Sequence, residues 1–390
     1  MAHRPRGSDI VVVGGGLVGT SLAYELVAAG ADVALIDRHD TGRATDAGAG
    51  ILSPETNQDP DADFFAFGLA AARHHQTLSE RLLGDGAVDS GFAVTGSLLV
   101  AERSQDDAFM ESAVAVIEAR CPGLTELIEP RHASRYFPPL GPVHRALYSP
   151  AARRLDGRVL NGALRRAALS RGLRVVDSSV TGVEFNGARD SVIGVVTEQG
   201  TIPAGAVVIA GGAWSAEMGD AFGVNIPVRP LKGQIVHLAL PASDTAAWTI
   251  VQPVLGFYLV PWPDGRVACG GTMEADAGFD HRPTADGLHQ LLRECIRTAP
   301  GLAQATVADV RVGSRPSTPD DRPVLGRLPG WSNAFAATGH GAEGLLLGPV
   351  SALMVARAVL GIDDEGDTVE GAVVSQVLGM CSPDRFAGSS

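Results

Sequence analysis

Lysine is almost missing from this sequence: Lys232 is the only one in 390 residues, and basic charge is otherwise carried by arginine. The net charge is −13, with no basic cluster, which excludes a protein built to grip a nucleic-acid backbone. Cysteine is scarce too. Cys121, Cys269, Cys295 and Cys381 form no CxxC motif and have no histidine at metal-ligand spacing. A redox dithiol motif and a structural zinc site are therefore not expected, and the four read as isolated reduced thiols of a cytoplasmic protein. His74 and His75 are adjacent, so on a helix they diverge and make a poor metal pair. Long uninterrupted apolar runs are also lacking. Residues 344–361 come nearest, but Pro349 and Arg357 interrupt them, and a buried helix is expected rather than a membrane span. The basic start MAHRPRG leads into an apolar run that three glycines and Glu25 break, unlike a signal peptide.

What is present is a chain long enough for two compact units, 45% hydrophobic and 19% charged. Residues 9–16, DIVVVGGG, read as a buried parallel strand running into glycines. A helical stretch follows, ended by Gly30, and then a second strand, DVALID, closing on Asp37. Gly14-x-Gly16-x-x-Gly19 thus lies between strand and helix, with an acid 23 residues after the first glycine. In such a unit Gly14 permits the tight turn, Gly16 lets a pyrophosphate approach the backbone, and Gly19 lets helix and strand pack closely. N–H groups at the helix N-terminus hold the pyrophosphate, and Asp37 accepts from ribose hydroxyls. Strand, helix, strand and terminal acid together make this a dinucleotide site.

Residues 38–55, RHDTGRATDAGAGILSPE, decide between dinucleotides. A loop of small residues (Thr45, Ala47, Gly48, Ala49, Gly50) wraps a long flat ligand, whereas NAD domains continue in regular βα units. FAD is the simpler reading. Residues 151–172 look helical, and the strand-like runs up to TIPAGAVVIAGGAWS suggest a meander returning to the main sheet. Residues 91–101 and 227–274 are strand-rich, and should join as one antiparallel substrate domain before the chain returns near 311. Residues 334–359 read as strand, Gly-rich turn and helix, whose N-terminus suits the N1–C2=O locus of a reduced flavin. RVGSRPSTPDDRPVLG (311–326) reads as a proline-stiffened loop carrying Arg315.

Taken together, VVVGGGLVGTSLAYELVAAG, GRATDAGAGIL, VVIAGGAWS, FYLVP with GGTM, GSRPSTPDDRPVLG and TGHGAEGLLLGP resemble the D-amino acid oxidase family of flavoproteins, and most of all its glycine oxidases of the thiamine-pathway type. The resemblance spans nearly the whole chain. It implies a discontinuous, Rossmann-like FAD-binding domain of the glutathione-reductase type (1–90, 145–222, 311–365), an antiparallel β-sheet substrate domain (91–144, 223–310) and a C-terminal extension (366–390). It implies non-covalent FAD held by Gly14, Gly16, Leu17, Val18, Gly19, Asp37 and Arg38, by Thr45, Ala47, Ala49, Gly50 and Ile51, and by Val180, Ala210, Gly211 and Trp214. Arg315 and the turn Gly339, His340, Gly341, Ala342, Glu343, Gly344 and Leu345 complete that set. The catalytic positions it implies are Arg315, a bidentate partner for a substrate carboxylate, and Tyr258 beside it.

The implied reaction is oxidation of a Cα–N bond by hydride transfer to flavin N5. The imine is then hydrolysed, and peroxide forms if dioxygen accepts the electrons. Partners are a small amino acid or N-substituted glycine and O2 or another acceptor, with no nucleic acid and no membrane span; a homo-oligomer is allowed. One departure matters. Glycine oxidases often carry an arginine two residues after the Gly-His of the C-terminal turn, and here Ala342 and Glu343 follow Gly341. A larger, N-substituted glycine with an apolar arm is therefore expected over free glycine. The sarcosine-oxidase features, a flavin-linking cysteine and a lysine beside the flavin, do not transfer. A D-amino acid dehydrogenase with a non-O2 acceptor is the alternative. An NAD(P)H-dependent flavoenzyme lacks its second GxGxxG, a disulfide reductase lacks CxxC, and a non-catalytic FAD module for RNA would be basic.

Overall fold

The computed structural model describes residues 8–56, 61–240, 243–254, 256–362 and 376–387. Strand Ser8–Val13 is buried from Ile10 to Val13, as that aliphatic run dictates, and pairs in parallel with Val33–Asp37 on one side and Gly200–Ile209 on the other. Arg174–Asp177 extends this parallel core beyond Val33–Asp37, and Ala334–Thr338 extends it beyond Gly200–Ile209. The expected meander, Val180–Phe185 and Val192–Thr197, pairs antiparallel with the start of Gly200–Ile209. Helices Leu17–Ala28, Gly157–Ser170 and Gly344–Leu360 share one core with this sheet.

A second, eight-stranded sheet is mostly antiparallel, in the order Thr306–Ser317, Arg229–Ala239, Arg266–Gly270, Tyr258–Trp262, Ile250–Pro253, Ser97–Ala101, Arg145–Ser149, Glu126–Ile128. Helix Ala285–Thr298 covers one face through Leu291 and Cys295.

The structure corrects several expectations. Arg315 is not on a loop but on the edge strand Thr306–Ser317, opposite Leu231. The following Pro316 forces Arg315 towards extended backbone and sits at the strand's end, where its missing N–H is tolerated. The boundary at 145 falls at the start of strand Arg145–Ser149 and that at 311 inside Thr306–Ser317, both in the second sheet, so the chain leaves this sheet after Ser149 and after Ser317. Cys269 and Cys295 are not isolated: both are free and buried in the second core, where Cys269 Sγ donates to the Leu291 carbonyl at 3.5 Å. The described part of the C-terminal extension, 376–387, is no loose tail. Val377 and Cys381 are buried in the main core, and the Cys381 carbonyl accepts from Leu325 N at 2.8 Å.

Helix Gly344–Leu360 runs through Pro349 and, with the turn Gly341–Glu343 ahead of it, makes a segment long and apolar enough to cross a membrane, yet Leu346, Leu347, Val350 and Met354 are packed in the core. Pro349 has no N–H for the carbonyl one turn earlier, at Leu345. His75 braces the same turn, its Nε2 lying 2.9 Å from the Leu346 oxygen with a further contact to the Leu345 carbonyl. Burial pushes the His75 imidazole down to about 4, so at neutral pH the ring is uncharged and donates through Nε2. His74, also lowered to about 4 by burial, turns elsewhere, as its adjacent position requires.

Candidate active site

A cavity of about 590 Å³ runs from the Gly14–Gly16 turn to Arg315, between the two sheets. All the expected cofactor positions line it except Gly19 and Gly339, which stand behind its wall. A Cβ on Gly19 would run into the Gly14 carbonyl, so this glycine serves helix–strand contact only. Gly339 takes φ +76° and packs against Thr318, turning the chain into the cavity rather than facing it.

At the glycine end, Gly14 has φ +113° and its missing side chain leaves room for the Ala210 carbonyl. Gly15, which the motif treats as variable, is crowded by the Asp37 carboxylate. At Gly16 the one atom near an added Cβ, among the described residues and apart from its chain neighbours, is Thr45 Oγ1 at 3.4 Å, so that strip of backbone is open to a ligand. Thr45 Oγ1 also accepts from Leu17 N at 3.0 Å, satisfying one helix N-terminal donor and tying the small-residue loop to the helix.

Asp37 ends its strand buried, and its carboxylate accepts from Arg43 Nη1 at 2.9 Å. Arg43 was not among the expected site residues; its pairing with Asp37 shows only in the structure. Arg38 turns away, towards Asp40 and Glu217, with its guanidinium 5.9 Å from the Trp214 ring centroid. Trp214 stacks on Phe279, 5.0 Å between centroids, and Phe279 belongs to the segment between strand Arg266–Gly270 and helix Ala285–Thr298.

At the other end, Arg315 and Tyr258 face the same cavity from different strands. Glycines make this meeting possible. A Cβ on Gly233 would occupy the space of the Arg315 guanidinium, one on Gly270 would lie 2.7 Å from the Tyr258 hydroxyl, and one on Gly271 would lie 2.8 Å from that hydroxyl and 3.1 Å from Arg315 Nη2. Burial pushes the Tyr258 phenol above its ordinary value, against the opposing pull of the Arg315 charge, so it stays a neutral donor. Arg315 Nη1 donates to the Thr272 carbonyl at 3.0 Å. Among the described residues it has no carboxylate partner, whereas the other cavity arginines, Arg38 and Arg43, are both paired with acids.

The lone lysine supports this arrangement. Lys232 is 1% exposed, with Nζ 3.3 Å from Glu274 Oε2. Glu274 accepts from Thr272 Oγ1 at 2.6 Å and Gln234 Nε2 at 2.7 Å. Burial works against its ionisation, but these hydrogen bonds and Lys232 hold its carboxyl below the usual range. The network fixes the backbone that carries the Thr272 oxygen.

From the C-terminal turn, His340, Gly341, Ala342, Glu343, Gly344 and Leu345 all line the cavity. His340 is 4% exposed, burial lowers it to about 4, and its Nε2 has no partner among the described residues. Gln252, Ser53, Thr56 and Ile235 also line the cavity and were not foreseen. Gly233 in KGQ and the doublet Gly270-Gly271 were the available signals, since glycine within a strand marks a close approach.

Comparison with known proteins agrees with this geometry. The family model described as FAD dependent oxidoreductase matches residues 9–358. An oxidoreductase of Bacillus subtilis (strain 168), YurR, is 34% identical over 360 residues, covering 92% of this chain and 96% of its own. A glycine oxidase of Pseudomonas putida is 30% identical over 360 residues, covering 91% and 95%. Among solved structures, iminodiacetate oxidase from Chelativorans sp. BNC1 superposes with a TM-score of 0.86 at 35% identity, covering 90% of this chain and 95% of that one. Glycine oxidase from Geobacillus kaustophilus gives 0.84 at 27%, covering 94% and 98%. A glycine-lined groove long enough for a flat dinucleotide, ending at an arginine without an acid, on a fold shared over nearly its full length with these oxidases, leaves one assignment: the chain belongs to the FAD-dependent oxidoreductase family of D-amino acid oxidase type.

Proposed function

We propose that the protein oxidises the Cα–N bond of glycine-type amino acids, with N-substituted glycines favoured over glycine. The observation that carries this reading is the Arg315–Tyr258 pair: a guanidinium with no acidic partner among the described residues, beside a neutral phenol, at the end of the FAD cavity. A guanidinium fork and a hydroxyl together match a carboxylate. Bound FAD supplies the two-electron oxidation. Arg315 and Tyr258 hold the carboxylate so that Cα and the amine face the groove, and the phenol donates rather than charges. The substrate enters as the neutral amine, whose lone pair drives loss of the Cα hydrogen, and no protein base is needed for that step. Water then hydrolyses the substrate imine to glyoxylate and the primary amine.

Ala342 supports the preference for an N-substituent. It lines the cavity where the sequence resemblance leads one to expect an arginine, and it leaves space without adding charge. The likeness to iminodiacetate oxidase favours a second reading, a dicarboxylic substrate. Against it, Arg315 is the one cavity-lining arginine among the described residues that is not already paired with an acid. Anaerobic mixing with sarcosine, longer N-alkyl glycines, glycine and D-amino acids, followed by the visible flavin band, tests the proposal. N-substituted glycines should bleach it fastest, and bleaching by D-amino acids alone would refute the assignment.

A further inference from the structure

Gln252 is the cross-strand neighbour of Tyr258, since Val251 pairs with Leu259 in an antiparallel ladder. Its side chain lines the cavity, and its Oε1 is buried without a hydrogen-bond partner. A buried amide oxygen left unpaired is costly, and in a binding cavity it marks the place of a ligand donor. Two hydroxyls of the cavity wall, Ser53 and Thr56, are also committed as acceptors. Thr56 Oγ1 donates to the Ser53 carbonyl at 2.9 Å. Ser53 Oγ lies 3.3 Å from Oε1 of the buried Glu55, which also accepts from Ser149 Oγ at 2.6 Å. Each hydroxyl has a single proton to give. With those protons directed to protein acceptors, what Ser53 and Thr56 present to the cavity is lone pairs.

The hydroxyl group lies on the Gln252 side of Tyr258: Ser53 Oγ is 3.3 Å from Ser97 Oγ, and Ser97 pairs with Ile250, two residues before Gln252 on the same strand.

Resting on the proposed function above, we infer that Gln252, Ser53 and Thr56 form an acceptor-rich subsite for the substrate's N-substituent, favouring an arm that ends in a hydrogen-bond donor (hydroxyl, amide or ammonium) over one that ends in a carboxylate. An anionic end would meet the lone pairs of Ser53 and Thr56, with the Glu55 side chain behind them, and only the Gln252 NH2 to answer it. A purely apolar arm would bury the Gln252 oxygen unsatisfied. The apolar arm expected from the missing arginine therefore acquires a polar tip.

The test uses the FAD-loaded enzyme and four N-substituted glycines of similar length: N-propyl, N-(2-hydroxyethyl), N-(2-aminoethyl) and N-carboxymethyl. The hydroxyethyl or aminoethyl compound should exceed the propyl compound in kcat/KM by about tenfold, the scale of one well-made hydrogen bond, and the carboxymethyl compound should fall below both. Gln252→Met and, separately, Ser53→Ala should each shrink the hydroxyethyl-to-propyl ratio several-fold. A wild-type preference for the carboxymethyl or propyl compound overturns the subsite, as does a ratio unmoved in both variants. In either case flavin bleaching by N-propylglycine leaves the proposed function standing. If no N-substituted glycine bleaches the flavin, both fall together.

Discussion

The two ends of the cavity are built in opposite ways. The nucleotide end is local: Gly14, Gly15, Gly16, Leu17 and Asp37 lie within one strand–helix–strand unit, and its shape is set by absent side chains. The substrate end is assembled from afar. Gly233, Gln252, Tyr258, Gly270 and Arg315 come from five strands of the second sheet and meet only because antiparallel register aligns them. Backbone placed by short-range geometry recognises what every family member binds. Side chains placed by long-range pairing recognise what distinguishes one member from another. The two ends should therefore fail differently when broken.

The largest effect is expected at the local end. Gly16→Trp should abolish FAD binding, because the open strip at Gly16 would be filled by an indole. The measurement is the flavin-to-protein ratio after purification, with thermal unfolding to check that the apoprotein folds. Full flavin loading in this variant would mean the dinucleotide does not lie along the helix N-terminus.

Next comes Arg315→Lys. Replacing a fork by a point charge should weaken substrate by about 1.5–3 kcal/mol, roughly ten- to 150-fold in kcat/KM, while flavin content falls much less. The comparison is sharpened if Gly16→Trp removes flavin and Arg315→Lys removes substrate. It breaks if both variants lose both ligands together.

This division also explains how much could be read without a structure. The dinucleotide turn, the small-residue loop and the turn at 339–345 are contiguous signals: the first is legible by spacing, the second by its small residues, and the third through the family resemblance. Gly19 and Gly339 were placed at the ligand only because the motif does not separate glycines that face a ligand from glycines that let backbone pass backbone. At the other end Arg315 and Tyr258 were reached by resemblance, while Gln252, Ser53 and Gly233 were not, since nothing in linear order says that residues 233, 252 and 315 are neighbours. The edge strand around Arg315 was mistaken for a loop for a related reason. Prolines that stiffen a loop also suit the end of an edge strand, and only the partner strand decides between them.

A third prediction concerns the helix whose N-terminal turn lines the cavity. His75→Leu removes the donor to the Leu346 and Leu345 carbonyls in the turn before Pro349, and should cost about 1–3 kcal/mol of stability, read as a lower midpoint in urea. The wild type has a linked pH dependence. His75 and His340 are lowered to about 4, and His237 to about 3, so the folded state holds fewer protons than the unfolded chain below its ordinary histidine value of about 6.5. Stability is complete above about 6.5 and declines as pH falls towards 4, by at most about 1.4 kcal/mol per pH unit for each histidine. His75→Leu should have a shallower decline over that window, and an identical slope would mean His75 is not held neutral.

The smallest effect is expected at Tyr258, and it probes whether the substrate end acts as a unit. The phenol shares its neighbourhood with Arg315 and is held above its ordinary pKa by burial. It therefore remains a neutral donor at every pH below about 10, where an exposed tyrosine would begin to charge. Tyr258→Phe keeps the ring and its packing against Gly270 but deletes one hydrogen bond to the bound carboxylate, worth about 0.5–1.5 kcal/mol, or roughly two- to twelvefold in kcat/KM. The loss should appear mainly in KM, because the carboxylate is held in the ground state and the transition state alike. The pH profile of kcat/KM should keep its shape in the variant, since the deleted group does not titrate in the working range. A change in its alkaline limb would show that Tyr258 ionises during turnover. A loss as large as that of Arg315→Lys would show that the phenol and the guanidinium hold the carboxylate only as a pair, so that the register joining their strands matters as much as either side chain.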